Sequence, residues 1–173
     1  MDGFKNILDQ DEFIIKEYKP DRKRFFLSRI LTAILILLFM AIPMSIGILI
    51  EESLIYLIIP LIVIIVVVII TYLLTKVTYN KRLYAYTNKR VLIQNGFIGV
   101  DYKSLDLDVI GASEVRVDFI DKLVGNNTGT IKFGSQATPT NVQGIQAFEF
   151  GGIKDPYNVY REIKKHIDEV KKK

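Results

Sequence analysis

The sequence contains no cysteine and only one histidine, His166, among its 173 residues. Without cysteine the chain can form no disulfide framework and no thiolate metal site, and it has no cysteine nucleophile. A single histidine lacks the further ligands of a metal site and the nucleophile of a catalytic triad, so we interpret His166 as a residue at the edge of the core. Phosphate-binding, dinucleotide-binding and hydrolase motifs are also missing. The sequence therefore predicts a protein that is not an enzyme, and no residue pattern indicates a cofactor.

Charged side chains are missing from two long apolar stretches, 30–50 and 53–75, which only Glu51 and Glu52 separate. At a rise of about 1.5 Å per residue, each stretch would form a helix spanning roughly 30 Å of hydrocarbon. Neither stretch has the polar stripe that a helix in a soluble core keeps. A secretory signal is disfavoured because a mostly polar segment precedes the first stretch. The sequence predicts a transmembrane helical hairpin, with one proline inside each span, Pro43 and Pro60.

Basic residues flank the two stretches on the sides that lead away from the connecting loop. The loop has no lysine or arginine. Basic residues precede the first stretch and follow the second: Lys16, Lys19, Arg22, Lys23, Arg24 and Arg29, then Lys76, Lys81, Arg82, Lys89 and Arg90. Because such residues stay on the cytoplasmic side, the sequence predicts a two-span protein of the cell membrane with both termini in the cytoplasm.

The segment 76–173 carries 16 basic and 11 acidic residues, a formal charge of +5. It would face the anionic inner leaflet, where each basic residue near the surface contributes about 1 kcal/mol of attraction. Nucleic acid is disfavoured as a partner because the segment has no helix rich in arginine or lysine. We expect membrane lipids as partners, together with a second protein or a second copy of the chain.

Short stretches in which apolar and polar residues alternate follow Lys76 and predict β-strands. Asn88-Lys89 would form the two-residue turn of a hairpin, and Gly96 permits another tight turn. The expected strands are 82–87, 90–95, 97–105, 105–109, 114–119, 130–133 and 147–150, with a loop at 134–144.

The end of the sequence has the pattern of an amphipathic helix. Asp155 can cap this helix and Pro156 suits its first position. Apolar residues recur along one face: Val159, Ile163, Ile167 and Val170. Such a helix covers the apolar interior that six or seven strands cannot close alone. The predicted fold is a membrane α-helical hairpin plus a mainly-β barrel or sandwich capped by a C-terminal helix.

The order of several short motifs resembles the bacterial pleckstrin-homology-like, membrane-flanked domain. The residues that carry this resemblance are Thr87-Asn88-Lys89-Arg90 at a strand turn, Gly96, Val115 and Val117, the step 123–125, and Gly129-Thr130-Ile131. The segment 12–26, EFIIKEYKPDRKRFF, is similar to the entry of that family, in which an apolar strand, a proline and basic residues follow one another.

The resemblance implies a pleckstrin-like fold of seven strands in two sheets with a C-terminal helix. Together with the apolar stretches and the basic residues, it predicts a cytoplasmic N-terminal segment 1–29, a transmembrane hairpin 30–75 and a cytoplasmic pleckstrin-like domain 76–173. Family members occur as membrane-anchored modules, some of them implicated in envelope stress or bacteriocin resistance. The fold alone fixes no reaction.

Four basic residues are candidates for contact with an anionic lipid headgroup: Lys81, Arg82, Lys89 and Arg90. By the resemblance, Lys89 and Arg90 fall on the hairpin turn where eukaryotic pleckstrin domains hold phosphoinositide phosphates. The alternative is that these residues follow the distribution of basic residues around membrane spans and keep a sheet edge soluble. We favour the alternative because a phosphate clamp needs several converging cations and this turn offers two.

The acidic residues are weaker candidates. Asp101, Asp106 and Asp108 could bind a cation, but Asp106 and Asp108 would lie about 7 Å apart on one strand face, too far apart for one ion without further ligands. A solvated strand face is the better interpretation. Glu51 and Glu52 need no role beyond that of a polar loop.

Three functions are consistent with these features. The first is a membrane-anchored, non-enzymatic adaptor or scaffold at the inner leaflet, whose strand edge or loop 134–144 docks a partner. The second is a module that senses anionic lipid through the four basic residues. The third is a small transporter or channel subunit, which the lack of ionisable groups in the spans disfavours.

Overall fold

The structure, a computed structural model, describes residues 3–50, 55–135 and 148–172. A short 3-10 turn at Lys5–Ile7 precedes the first strand. The helices are α1 (Arg22–Ile50), α2 (Ile55–Lys81), α3 (Phe119–Val124) and α4 (Pro156–Val170). The strands are β1 (Ile14–Tyr18), β2 (Leu83–Thr87), β3 (Arg90–Asn95), β4 (Asp101–Asp106), β5 (Ile110–Arg116), β6 (Thr128–Ser135) and β7 (Phe148–Lys154).

The strands form two antiparallel sheets, in which every strand pairs with its neighbour in sequence. The first sheet has the order β1-β2-β3-β4 and the second the order β5-β6-β7. Seven strands and a C-terminal helix confirm the mainly-β architecture that the resemblance implies. The closed barrel named as one alternative is not found, because no strand of one sheet pairs with a strand of the other among the described residues.

The segment before the helices contributes a strand to the first sheet. β1 pairs antiparallel with β2, and Tyr18 lies opposite Tyr84. Both long helices, α1 and α2, lie between these two paired strands in the sequence. The sheet therefore draws on both 1–29 and 76–173, whereas the sequence pattern left the contribution of 12–18 open.

The main core lies between the two sheets and α4. Tyr84 of the first sheet stacks on Phe150 of the second, with 5.0 Å between ring centroids, and Phe133 meets the same ring edge-on at 5.1 Å. Ile163 and Ile167 of α4 are buried against this cluster. The predicted apolar face of the terminal helix is thus confirmed, since burial of that face is what holds the helix on the sheets.

Strand β2 is buried on both faces. Its tyrosines point into the main core, whereas Leu83 and Ala85 belong to a second cluster with Leu92. Phe4, from the start of the chain, covers that second cluster and is only 1% exposed. This cover explains why LYAYT does not show the polar alternation of a strand with one solvated face.

Several predicted strands have different limits. β4 ends at Asp106 and residues 107–109 form a turn, so the predicted strand 105–109 is not found and Asp106 and Asp108 do not share a strand face. β5 runs over 110–116, ahead of the expected 114–119. The chain turns into α3 at Phe119, because Asp118 and Asp121 form a capping box and Gly125 adopts a left-handed conformation (φ 66°) after the last turn.

The start of α4 differs from the expected cap. Asp155 occupies the N-cap position and Pro156 the first helical position. The Asp155 side chain, however, makes no capping hydrogen bond to the helix. It accepts a hydrogen bond from Nδ2 of Asn127 instead, which ties the helix entry to the loop before β6.

The helices α1 and α2 pack against each other in opposite directions. Phe26 near the start of α1 contacts both Tyr72 and Tyr79 near the end of α2, at 6.0 Å between ring centroids. In the described part of the chain, one helical segment, Ile58–Lys81, is long and apolar enough to cross a membrane; its most apolar 18-residue window has a mean hydropathy of 3.1, and 6% of that window is buried. Glu51, Glu52 and most of the predicted loop 134–144 lie outside the described residues.

Candidate functional site at the junction of helices and sheet

The point where the helix pair meets the first sheet brings three elements together. We call it the junction, and it comprises the start of α1, the end of α2 and the β3–β4 loop, residues 96–100. Only Arg82 separates α2 from β2, and α2 also contacts β3. The junction is thus the part of the β-domain nearest to the apolar helix.

Lys81, the last residue of α2, holds the β3–β4 loop. Its Nζ donates hydrogen bonds to the carbonyl oxygens of Phe97 (2.9 Å), Ile98 (2.7 Å) and Gly99 (3.1 Å). An ammonium group has three donors, so these carbonyls use its full capacity. The loop is thereby fixed with Ile98 exposed by 89%. The side chain predicted to contact lipid therefore shapes the loop that presents an apolar residue.

Gly96 allows this loop to turn back on itself. Its φ of +157° lies at the limit of the region that favours glycine, and a Cβ at this position would lie 2.2 Å from the carbonyl oxygen of Gly99. Any side chain here would displace one of the carbonyls that Lys81 binds. The chain reverses at Gly96 as expected, but the loop takes residues 96–100, so β4 begins at Asp101 and not at Phe97 as the sequence predicted.

A groove of about 510 Å³ runs between the end of α2 and the β3–β4 loop. Its lining residues include two arginines, three threonines, one aspartate and two apolar side chains: Arg29, Arg82, Thr71, Thr75, Thr78, Asp101, Leu74 and Phe97. Thr75 and Thr78 donate their hydroxyl protons to backbone carbonyls of α2, which leaves oxygen lone pairs free to accept.

The two arginines of the groove both form cation–π contacts with the ring of Phe25. The guanidinium carbon of Arg29 lies 5.8 Å from the centroid of Phe25, and that of Arg82 lies 5.7 Å from it. Cation–π contacts of this length hold the guanidinium groups near a ring that is itself buried. Nε of Arg82 also donates to Oδ1 of Asn95 at 2.8 Å, which leaves its terminal nitrogens available.

A buried ion pair joins α1 to the second half of the domain. Nε of Arg24 donates to Oδ1 of Asp121 at 3.0 Å, and the Asp121 side chain has no exposed surface. Asp121 also accepts hydrogen bonds from the hydroxyl of Thr128 and from the backbone N–H of Asp118. The carboxylate of α3 thus connects α1, α3 and β6.

The start of α1 is fixed to the second sheet as well. Oδ1 of Asp21 accepts from the backbone N–H of Arg24 and so caps the helix, while the N–H of Asp21 donates to the carbonyl of Gly152 at 2.6 Å. Gly152 has φ +67°, and a Cβ there would lie 2.8 Å from Cδ of Arg24. The first turn of α1 therefore packs closely against β7.

The four predicted lipid-contacting residues do not lie together. Lys81 and Arg82 are at the junction, whereas Lys89 and Arg90 are at the other end of the β2–β3 hairpin. The five residues of β2 separate the two pairs by roughly 17 Å at about 3.3 Å per residue. Lys89 is exposed, but most of the surface of Arg90 is covered.

Arg90 is committed to an internal ion pair. Its Nη2 and Nε donate to Glu12 at 2.7 and 3.0 Å, and Nη2 also donates to the carbonyl of Ile7 at 2.9 Å. The Glu12 side chain is fully buried, which opposes its ionisation, but the hydrogen bonds from Arg90 and Thr87 outweigh burial and hold its pKa below the ordinary value. Arg90 thus fixes the N-terminal segment to the hairpin.

A cluster of polar side chains at the surface joins α4 to the first sheet. The carboxylate of Glu162 accepts hydrogen bonds from Nζ of Lys16 at 2.9 Å and from the hydroxyls of Tyr86 and Tyr18 at 2.9 and 3.3 Å. The bond from Lys16 contributes most to holding the pKa of Glu162 below its ordinary value. Burial raises the pKa of both tyrosines, so they act as donors at neutral pH.

The remaining candidates are dispersed. His166 is partly buried on α4, with Nδ1 3.7 Å from Glu169 and its ring 6.0 Å from that of Tyr86. Asp101 lines the junction groove, whereas Asp106 and Asp108 line a separate depression beside Lys89 and Arg90. Within the described ranges, no group of three or more acidic or histidine side chains could hold a metal ion.

In the sequence, Arg29 indicates only the orientation of the spans, and neither Phe97 nor Ile98 is a predicted site residue. The spacing of 53 residues between Arg29 and Arg82 gives no sign that they share a groove. One signal was available, since two adjacent apolar residues next to a turn glycine are unusual for a solvated hairpin loop.

No family model and no curated protein matches the chain. Among solved structures, it is similar to a DUF1696 family protein with a pleckstrin-homology domain from Shewanella loihica PV-4, with 11% identity, a TM-score of 0.44 and coverage of 95% of this chain and 89% of that chain. It is also similar to a pleckstrin homology domain from Shewanella amazonensis SB2B, with 15% identity, a TM-score of 0.35 and coverage of 50% of this chain and 67% of that chain. The two antiparallel sheets of seven strands and the C-terminal helix of this chain agree with the pleckstrin-like fold that the resemblance implies.

Proposed function

We propose that this protein is a membrane-anchored, non-enzymatic adaptor or scaffold, whose pleckstrin-like domain the helix pair holds at the inner face of the cell membrane. The observation that supports this most is the direct continuation of the apolar helix α2 into the central strand β2. A buried helix of a soluble domain would hide its apolar side chains. Here Leu61, Ile65 and Ile69 are each at least half exposed.

The connection between helices and domain supports a scaffold rather than a flexible tether. Two short links lead from β1 to α1 and from α2 to β2. The pair of Arg24 and Asp121 adds a buried contact between α1 and α3. A domain held in this way presents the same surfaces at a fixed orientation to the membrane, as docking of a partner requires.

The edge of the first sheet is a surface on which a partner could dock. β1 is one of its two edge strands, and Phe13, directly before this strand, and Ile15, within it, are exposed by 61% and 38%. An extended segment of another chain can add to such an edge through backbone hydrogen bonds. A role in envelope stress or bacteriocin resistance follows from the family resemblance alone. Lipid sensing is the second candidate, which the groove at the junction favours.

Single-cysteine labelling tests the anchoring. The natural chain has no cysteine, so Ser53→Cys and Lys172→Cys each introduce one thiol without background. In intact cells a membrane-impermeant maleimide should label Ser53→Cys, at the loop end of the second predicted span, and should label Lys172→Cys only after the membrane is permeabilised. The unmodified chain is the blank.

Extraction with alkaline carbonate provides the matching control for insertion. The chain should stay in the membrane fraction, as an integral protein does. Release into the supernatant, or labelling of Lys172→Cys in intact cells, would contradict the proposed anchoring and orientation.

A further inference from the structure

We propose that the junction groove binds the headgroup of one anionic phospholipid, with Arg29 and Arg82 contacting its phosphate. This inference rests on the proposed membrane anchoring, because the groove must lie at the lipid headgroups. It differs from the site expected from the sequence. We call the β2–β3 turn at residues 88–90 the distal turn. Arg90 of this turn already binds Glu12, and Lys81 already binds the carbonyl oxygens of the β3–β4 loop.

The two arginines have the charge that a phosphate needs. Both line the same groove beside the ring of Phe25. Neither forms an ion pair with a carboxylate in the described part of the chain, although Asp101 lines the same groove. Guanidinium groups bind phosphate oxygens through paired N–H donors. A bound phosphate would be balanced by two positive groups and opposed by one negative group.

The walls of the groove suit the glycerol and upper acyl region of a lipid. Leu74 of α2 and Phe97 of the loop are exposed by 42% and 47%. Leu74 lies on the helix that is apolar enough to cross a membrane, so this wall is continuous with the hydrocarbon surface of Ile58–Lys81. A free phosphate ion would use the arginines but gain nothing from this apolar wall.

The position of the groove agrees with the depth of a headgroup. Arg29 stands directly before the apolar stretch 30–50, and Thr75 ends the apolar stretch 53–75. Both ends meet at the groove because α1 and α2 pack in opposite directions. Long basic side chains at the ends of membrane helices reach the headgroup layer in this way.

Native mass spectrometry of the full-length chain in mild detergent tests the proposal. Delipidated protein would be titrated with phosphatidylglycerol, phosphatidylcholine and inorganic phosphate. The wild-type chain should bind one phosphatidylglycerol in preference to phosphatidylcholine. Replacing both arginines, Arg29→Gln with Arg82→Gln, should weaken phosphatidylglycerol binding by about tenfold or more, as expected for lost charge-assisted hydrogen bonds.

Two further variants separate the groove from general charge and from misfolding. Lys23→Gln with Lys122→Gln removes the same number of charges at exposed positions outside the groove lining, and should leave binding unchanged. Asp101→Asn removes the opposing carboxylate and should tighten binding. The proposal is overturned if the two double variants lose binding equally, if Asp101→Asn does not tighten it, or if millimolar inorganic phosphate displaces the lipid. Because binding in detergent does not depend on orientation in cells, failure here is distinct from failure of the labelling experiment.

Discussion

Replacing Arg90 by methionine is expected to destabilise the domain by about 3 kcal/mol, because it leaves the carboxylate of Glu12 buried without its cation. Glu12 has no exposed side-chain surface and receives two hydrogen bonds from Arg90. The same change removes the bond to the carbonyl of Ile7. For a domain of this size the loss corresponds to a melting temperature lower by roughly 10 °C. Circular dichroism of the detergent-purified chain measures it.

Lys89→Met is the matched control, since it removes the same charge one position earlier in the sequence. Lys89 is exposed, so its replacement should change stability by less than about 0.5 kcal/mol. If the two variants melted at the same temperature, Arg90 would not hold the N-terminal segment. Its assignment to an internal ion pair would then be wrong, and a lipid role for the turn would regain support.

Replacing Asp121 by alanine is expected to cost about 3 kcal/mol as well and to loosen the junction. The change leaves Arg24 without its buried partner and removes acceptors for Thr128 and for the N–H of Asp118. Hydrogen exchange should show faster opening of α3 and of the first turn of α1, because these elements lose the carboxylate that joins them.

Asp168→Ala provides the comparison for this variant. Asp168 is exposed on α4, so removing its carboxylate should leave both the melting temperature and the exchange of α3 close to wild type. Equal exchange in the Asp121 and Asp168 variants would contradict the view that the buried pair fixes α1 to the domain.

The secondary structure could largely be predicted from the sequence because its signals are local. The hairpin 82–95 follows from two strand-forming stretches on either side of the turn residues Asn88-Lys89, and the strand β3 has the limits expected for it, Arg90–Asn95. The terminal helix follows from the spacing of Val159, Ile163 and Ile167. The limits of β4 and β5 did not follow, because alternation continues through the turn at 107–109.

The site could be predicted only in part, because charge in a sequence does not reveal its partners. Lys89 and Arg90 are neighbours with equal charge, yet one is exposed and the other pairs with Glu12, 78 positions earlier. Similarly, Arg29 and Arg82 line the same groove only because α1 and α2 pack against each other in opposite directions. Long-range pairing of this kind depends on the topology of the fold, which the spacing of residues along the sequence does not reveal.

We expect the junction, and not the distal turn, to face the bilayer. The natural chain has no tryptophan, so Ile98→Trp and Phe13→Trp each introduce one fluorophore. Both positions carry exposed apolar residues, 89% and 61% exposed. Ile98 lies in the junction loop, whereas the N–H of Phe13 donates to Asn88 at the distal turn. The measurement is fluorescence quenching of the full-length chain in vesicles that contain brominated phospholipids. We expect strong quenching for Ile98→Trp and little for Phe13→Trp; equal quenching, or stronger quenching of Phe13→Trp, would show that the junction does not face the bilayer.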